Sequence, residues 1–250
     1  MNNPVFSIIT VTYNASRWLE RTLQSITSQD YPDIELIVID GNSTDGTQDI
    51  IRKYESRVDF WISEPDQSLY DAMNKGLKKA TGDYVWFINA GDEIYSPDTL
   101  TQIVNKLPDI LPDIIYGETE ITDPDGHSLG MRRLRTPKRL TWKSFRMGML
   151  VCHQSFLVSR EIAPLYNIRY RYASDYDWCI RCMRKTGSIF NTYLTLSKFL
   201  EVGMSSKNRK ASLKERYKIM CQYYGRFSTQ LRHLWFAIRF YFAKLIRGRV

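Results

Sequence analysis

Ile34-Glu-Leu-Ile-Val-Ile-Asp-Gly-Asn-Ser-Thr-Asp-Gly-Thr47 is an apolar run that halts on an acid and a polar turn. Ile34–Ile39 is β-branched and continuous enough for a strand buried on both faces, and Gly46–Tyr54 follows with helical character. The same unit stands on either side of it. Upstream, Phe6–Tyr13 stops at Asn14, and Trp18–Ser28 places Trp18, Leu19, Leu23 and Ile26 on one side of a helix. Downstream come a short strand at Phe60–Ile62, a helix over Leu69–Ala80 and an apolar strand, Tyr84–Ile88, ending at Asn89.

Apolar strands alternating with amphipathic helices predict an α/β fold, a mostly parallel, Rossmann-like sheet with helices on both faces. In such sheets ligands bind beyond the C-terminal ends of the strands. Further along, a helix is expected from Pro97 to about Leu107, and strands over Ile114–Ile121 and Gln154–Val158. A hairpin turn is expected at Asp123-Pro-Asp-Gly126, and a helix over Ser174–Arg184. Arg132–Met149 is basic and shows no period. The core is expected to end near Ser206, before two helical stretches at Leu213–Tyr224 and Thr229–Arg247.

The chain has 250 residues and is 43% hydrophobic, enough for one sizeable core with appendages. No run of apolar residues is long enough for a membrane-spanning helix, and the opening residues lack the pattern of a secretory leader, so a cytoplasmic protein is expected. Cys179 and Cys182 have C-x-x-C spacing without a second pair nearby, and read as two thiols on a helix rather than a zinc site. The net charge of +8 is uneven: residues 198–250 carry 13 Lys+Arg against 2 Asp+Glu, and residues 1–197 carry 22 against 25. A basic tail suits an anionic partner surface.

Four polar clusters follow strands. Thr10-Val-Thr-Tyr-Asn14 offers hydroxyls and an amide. Asp40-Gly-Asn-Ser-Thr-Asp-Gly46 offers an acid that can accept from ribose or base, and serves equally as a turn and helix cap. In Glu64-Pro-Asp-Gln-Ser-Leu-Tyr-Asp-Ala-Met-Asn-Lys-Gly76, Asp66 precedes a helix on which Asp71, Asn74 and Lys75 share a turn; a solvated helix face is the alternative. Asn89-Ala-Gly-Asp92 places a carboxylate at a strand end, where it can meet a divalent cation bridging two phosphates.

The order and spacing of these segments resemble the inverting family 2 glycosyltransferases of the GT-A fold, over about residues 4–205. The matching stretches are S-I-I-T-V-T-Y-N, I-V-I-D-G-N-S-T-D-G-T, S-E-P-D-x-x-x-Y-D-A-M-N-K-G and G-D-Y-V-W-F-I-N-A-G-D. The resemblance implies a GT-A catalytic domain over 1–206, with a nucleotide-sugar-binding half (1–95) and an acceptor half (96–206), followed by a basic helical tail (207–250). It implies that Thr12, Asn14 and Asp40 hold base and ribose. Asp66, Asp71, Asn74, Lys75 and Asn89 would line the ribose, diphosphate and sugar. Asp92 would be the metal ligand for Mg²⁺ or Mn²⁺, although Asn89 and Gly91 stand where the family often carries further acids. His153-Gln154 resembles an H-Q pair facing the diphosphate or acceptor, with a purely structural histidine as the alternative. Ser174-Asp-Tyr-Asp177 resembles the family's E-D-x-D, making Asp175 the catalytic base with Asp177 beside it, roles that can coexist with helix capping. Glu201-Val-Gly-Met-Ser-Ser206 resembles a loop that closes over the donor diphosphate.

These matches imply transfer of a sugar, with inversion, from a nucleoside-diphosphate donor, expected to be UDP-linked. The expected acceptor is a saccharide or lipid-linked saccharide of bacterial surface polysaccharide assembly. Thr229–Arg247 forms a cationic amphipathic helix on a helical wheel, with Leu234, Trp235, Ile238, Tyr241, Phe242, Leu245 and Ile246 on one face. It suits the inner face of the cytoplasmic membrane; packing on the catalytic domain or in a homo-oligomer interface is the alternative. Two other functions fit the sequence less well. A sugar nucleotidyltransferase needs a Gly-rich basic loop after the first strand, which Asn14-Ala-Ser-Arg-Trp18 is not. A nucleic-acid-binding module would rest on the tail alone, against the acids at the strand ends, so no nucleic-acid partner is expected.

Overall fold

A computed structural model describes residues 3–201 and 208–247, with side chains described as far as Phe236 and at Ile238. The elements run β1 (Phe6–Thr12), α1 (Ser16–Thr27), β2 (Ile34–Asp40), α2 (Thr47–Lys53), β3 (Phe60–Ser63), α3 (Leu69–Lys79), β4 (Tyr84–Phe87), β5 (Glu93–Ile94), α4 (Thr99–Val104), β6 (Ile114–Thr122), β7 (Ser128–Met131), β8 (Phe156–Ser159), α5 (Ser174–Lys185), β9 (Ile189–Leu200), α6 (Arg209–Tyr224) and α7 (Arg226–Arg247).

One sheet carries the order β3-β2-β1-β4-β8-β6-β9-β5, with β7 paired to β6. Its first four strands are parallel, as the repeated strand–helix unit predicts. Beyond β4 the sheet is mixed: β8 is antiparallel to β4 and β6, while β6 and β9 are parallel. All seven residues of β1 are buried, because helices cover both faces. Ile9, Val11, Ile37 and Ile39 join one core with Tyr70, Met73 and Leu77 of α3 and Trp178 and Ile180 of α5. Phe6, Ile8, Leu36 and Val38 face the other way, toward α1, α2 and α4. Burial of each such side chain contributes about 1.5–3 kcal/mol. Gly76 lets α3 lie against β1, since a Cβ there would overlap Ile9.

Three stretches differ from the periodicity. Gln154 is not in a strand: His153–Ser155 make a 3₁₀ turn and β8 starts at Phe156. The helix after Pro97 is confined to Thr99–Val104. β9 does not stand out as an apolar run, because polar residues such as Asn191, Thr192 and Ser197 are interleaved along it. The Asp123–Gly126 turn does join antiparallel strands, β6 and β7.

Helix α6 belongs to the first core through Ile219, Met220 and Tyr224. Its Glu215 accepts the backbone N–H groups of Arg171, Tyr172 and Ala173, which fixes the loop entering α5. No helix among the described residues is long and apolar enough to cross a membrane. The expected diphosphate-closing loop lies, after Glu201, outside the described residues.

Candidate active site

Parallel register brings Thr12, Asp40 and Ser63 side by side at the C-terminal edge of β1, β2 and β3. Asp40 is wholly buried. Its carboxylate accepts from the Ser43 N–H (2.9 Å), the Ser43 hydroxyl (2.5 Å) and the Ser63 hydroxyl (2.6 Å). Asn14 knits the first loop to the second: its N–H donates to Ser43 Oγ (2.8 Å), and its Oδ1 accepts from the Thr44 N–H (3.0 Å). Asn14 and Asn42 both have positive φ, a region asparagine tolerates better than most residues. Thr12 Oγ1 is buried with no hydrogen-bond partner among the described residues. Such an atom needs a partner, and a ligand can supply it. Beside it, Tyr13 is 66% exposed, and its ring and the Asp66 carboxylate stand over Gly41, where a Cβ would come within 3.2 Å and 3.1 Å of them.

Lys75 of α3 reaches back to Asp66 Oδ1 (2.6 Å) and Glu64 Oε1 (2.8 Å). Burial lifts Asp66 above the usual carboxylate range despite Lys75. Asp71 is a first-turn acid: its N–H donates to Ser68 Oγ and its carboxylate accepts from the Gln67 N–H. Asn74 does not face the strand-end loops. Its side chain pairs twice with the backbone of Tyr166, at 3.0 and 2.6 Å.

After β4 the chain makes a tight turn in which the Asp92 N–H donates to the Asn89 carbonyl (2.8 Å) and Gly91 has φ +103°. Asp92 is buried; Oδ2 accepts from Gln154 Nε2 (2.8 Å) and Oδ1 from the Leu200 N–H (3.1 Å). Burial pushes its carboxyl up to about 7, against those two hydrogen bonds. Asn89 Oδ1, in the same turn, is buried without a hydrogen-bond partner among the described residues. The neighbouring Glu93 pairs with Arg21 (2.7 Å). No group of three or more His, Cys, Asp or Glu side chains placed to hold a metal ion is found among the described residues.

Asp175 sits in the first turn of α5, half-buried, with Oδ1 accepting from the Tyr70 hydroxyl (3.2 Å) and the Tyr176 N–H (2.8 Å). Tyr70 stacks on Tyr166, and Tyr166 stacks on Trp178 at 4.9 Å. His153 is enclosed by Phe87, Tyr166 and Trp178, with Nε2 2.6 Å from the Tyr166 hydroxyl. Burial pulls its imidazole down to about 4, so it is neutral at pH 7. Asp177 points elsewhere: it is buried between Arg181 (2.7 Å) and the Tyr223 hydroxyl (2.8 Å), tying α5 to α6.

The structure thus gathers Thr12, Asn14 and Asp40 at one edge, links Asp92 to Gln154, and sets Asp175 beside α3. It turns Asn74, His153 and Asp177 toward protein partners. Tyr13 and Tyr70 were not singled out in the sequence; both lie inside the quoted motifs, next to Asn14 and Asp71.

Residues 7–163 match the sequence profile of the family described as "Glycosyl transferase family 2". A "PGL/p-HBAD biosynthesis glycosyltransferase" of Mycobacterium bovis is 31% identical over 224 residues, 85% of this chain and 80% of that protein. The crystal structure of S. aureus TarS residues 1–349 superposes with a TM-score of 0.69 at 17% identity, covering 93% of this chain and 72% of TarS 1–349; the same fragment is also solved in complex with UDP-GlcNAc. A mannosyltransferase from Pyrobaculum calidifontis, solved with GDP-Man and Mn²⁺, gives 0.64 at 19% identity, covering 89% of this chain and 65% of that one. The chain belongs to glycosyl transferase family 2, and its fold is the GT-A type.

Proposed function

We propose that this family 2 glycosyltransferase moves a hexosyl unit, with inversion, from a UDP-linked donor to a saccharide or lipid-linked acceptor in surface polysaccharide assembly, at the cytoplasmic face of the membrane. Residues 1–95 would be the donor half, 96–206 the acceptor half and 207–250 the tail. The observation that carries the reading is the register of Thr12, Asp40 and Ser63 at one strand edge, with the unpartnered Thr12 hydroxyl among them. The uridine would lie over Gly41 against the Tyr13 ring, with Thr12, Asn14 and the Asp40 loop reading base and ribose. The UDP-GlcNAc complex of the structurally similar TarS supports a uridine donor. Asp66, Asp71 and Lys75 would border the ribose, diphosphate and sugar.

Asp175 would act as the base. Its carboxylate takes the proton of the acceptor hydroxyl as that oxygen attacks the anomeric carbon and the bond to the diphosphate oxygen breaks, leaving UDP. Tyr70 holds the carboxylate, while Asn74 and His153 hold Tyr166 against Tyr70. Asp177 fixes the helix that carries the base.

A divalent cation fits the Asn89–Asp92 turn through the Asp92 carboxylate and the orphaned Asn89 Oδ1, the remaining ligands coming from the donor phosphates, as is common for Mg²⁺. Bound there, Mg²⁺ or Mn²⁺ would neutralise charge on the departing diphosphate. Gln154 orients Asp92 toward that role.

The test is incubation of the enzyme with a panel of nucleotide sugars and a lipid-linked acceptor extract, with NMR of the product's anomeric centre. An α-linked UDP-sugar should give a β-linked product. Retention of configuration, or transfer from other nucleotides only, would overturn the reading.

A further inference from the structure

Helix α7 presents an uncovered apolar stripe. Phe227, Leu231, Leu234, Trp235 and Ile238 are between 46% and 74% exposed, at spacings of 4, 3, 1 and 3 residues, which puts all five on one helix face. The opposite face is the one used for packing, through Thr229, which is fully buried, and His233, whose ring meets Tyr217 of α6 at 5.1 Å. The stripe continues onto the catalytic domain. Met147 lines one shallow groove with Phe227, Leu231 and Trp235. Leu134, 40% exposed, approaches Gly148. Basic side chains border this surface: Arg133 and Arg135 flank Leu134, Lys143 lies in the 3₁₀ turn of Met147, and Arg226 opens α7; all four are exposed.

We propose that this composite face, α7 together with the Leu134 and Met147 segments, docks on an anionic lipid bilayer. Apolar side chains, one of them an interfacial tryptophan, ringed by Lys and Arg match acyl chains beneath acidic head groups. A second copy of the chain fits less well, because a two-fold contact would set this basic face against itself. Buried residues join this face to the helix that carries the base. Tyr176, next to Asp175, stacks on Phe145 at 5.6 Å and donates to its carbonyl, two residues before Met147. A lipid-linked acceptor held in the same bilayer would arrive beside Asp175, an extension that rests on the proposed transfer; the docking itself does not.

Co-sedimentation of the full chain with vesicles of phosphatidylcholine, alone or with phosphatidylglycerol, tests it. Binding is expected only with the anionic lipid. Leu231→Gln/Trp235→Gln should weaken it by at least tenfold, and Lys143→Gln by about fivefold, near the value of one charge at the surface. These exposed positions should leave circular dichroism and nucleotide-sugar binding unchanged, so failure of docking is separable from failure of the transferase reading. Absence of binding to anionic vesicles would overturn the proposal. So would a stripe variant that keeps vesicle binding but dissociates a dimer in analytical ultracentrifugation.

Discussion

The hydroxyl of Tyr70 donates to Oδ1 of Asp175 across 3.2 Å, joining the first turn of α3 to the first turn of α5 over 105 residues of sequence. The donor-side helix therefore sets the orientation of the proposed base. Tyr70→Phe removes only that hydroxyl. A hydrogen bond to a charged group contributes about 1.5–3 kcal/mol, so kcat should fall roughly tenfold or more. The donor KM should stay unchanged, because Tyr70 makes no part of the strand-end pocket. Steady-state kinetics with varied donor checks this.

His153 sets an acid limit on stability. Its folded value is depressed by burial to about 4, so its contribution is complete above the unfolded value near 6.5 and is lost as pH falls through 4. Asp92 works in the opposite sense: raised to about 7, it disfavours the fold increasingly as pH climbs from about 4 to 7. Comparing wild type with His153→Gln, which can still hydrogen-bond to the Tyr166 hydroxyl but does not titrate, isolates the imidazole. Urea unfolding should show wild type losing up to about 3 kcal/mol relative to the variant between pH 7.5 and pH 4.

Gly91→Ala should damage the site through its backbone. The φ of +103° disfavours any side chain, and the new Cβ would stand 2.7 Å from Leu200 Cδ2. Since the Leu200 N–H holds Asp92, the strain falls on the proposed diphosphate end. A loss of about 2 kcal/mol in urea unfolding is expected, with weaker donor binding by calorimetry.

Chelation tests the Asn89–Asp92 turn. Treatment with EDTA should reduce the rise in Tm that a bound UDP-sugar gives, and Mn²⁺ should restore it. Asp92→Asn should show the reduced rise with or without Mn²⁺. An unaltered metal response in that variant would remove Asp92 as a ligand.

The parallel half of the sheet was legible because β1, β2 and β4 are dominated by apolar and β-branched residues, with isolated polar ones such as Ser7 and Glu35, a consequence of burial on both faces. The edge acids were legible because a carboxylate directly after such a run stands at the ligand-binding end of the sheet. β5 was not, being two residues long and defined by its pairing with Lys198 and Ser197 of β9. Nor was the setting of His153 and Asn74. Their common partner Tyr166 lies in an irregular loop, 13 residues from one and 92 from the other, and no local period reports such a contact. Asp177 reads like Asp175 in sequence, yet one helical step of 100° turns each residue from the next, and two steps carry Asp177 to Arg181 and Tyr223.

The central claim is that the carboxylate of Asp175 deprotonates the acceptor. The most direct measurement is single-turnover transfer by Asp175→Asn, beside calorimetric binding of the same nucleotide sugar. The rate should fall by about 10²- to 10⁴-fold, the usual worth of a positioned base, with donor affinity within twofold of wild type. Full transfer by the variant would contradict it.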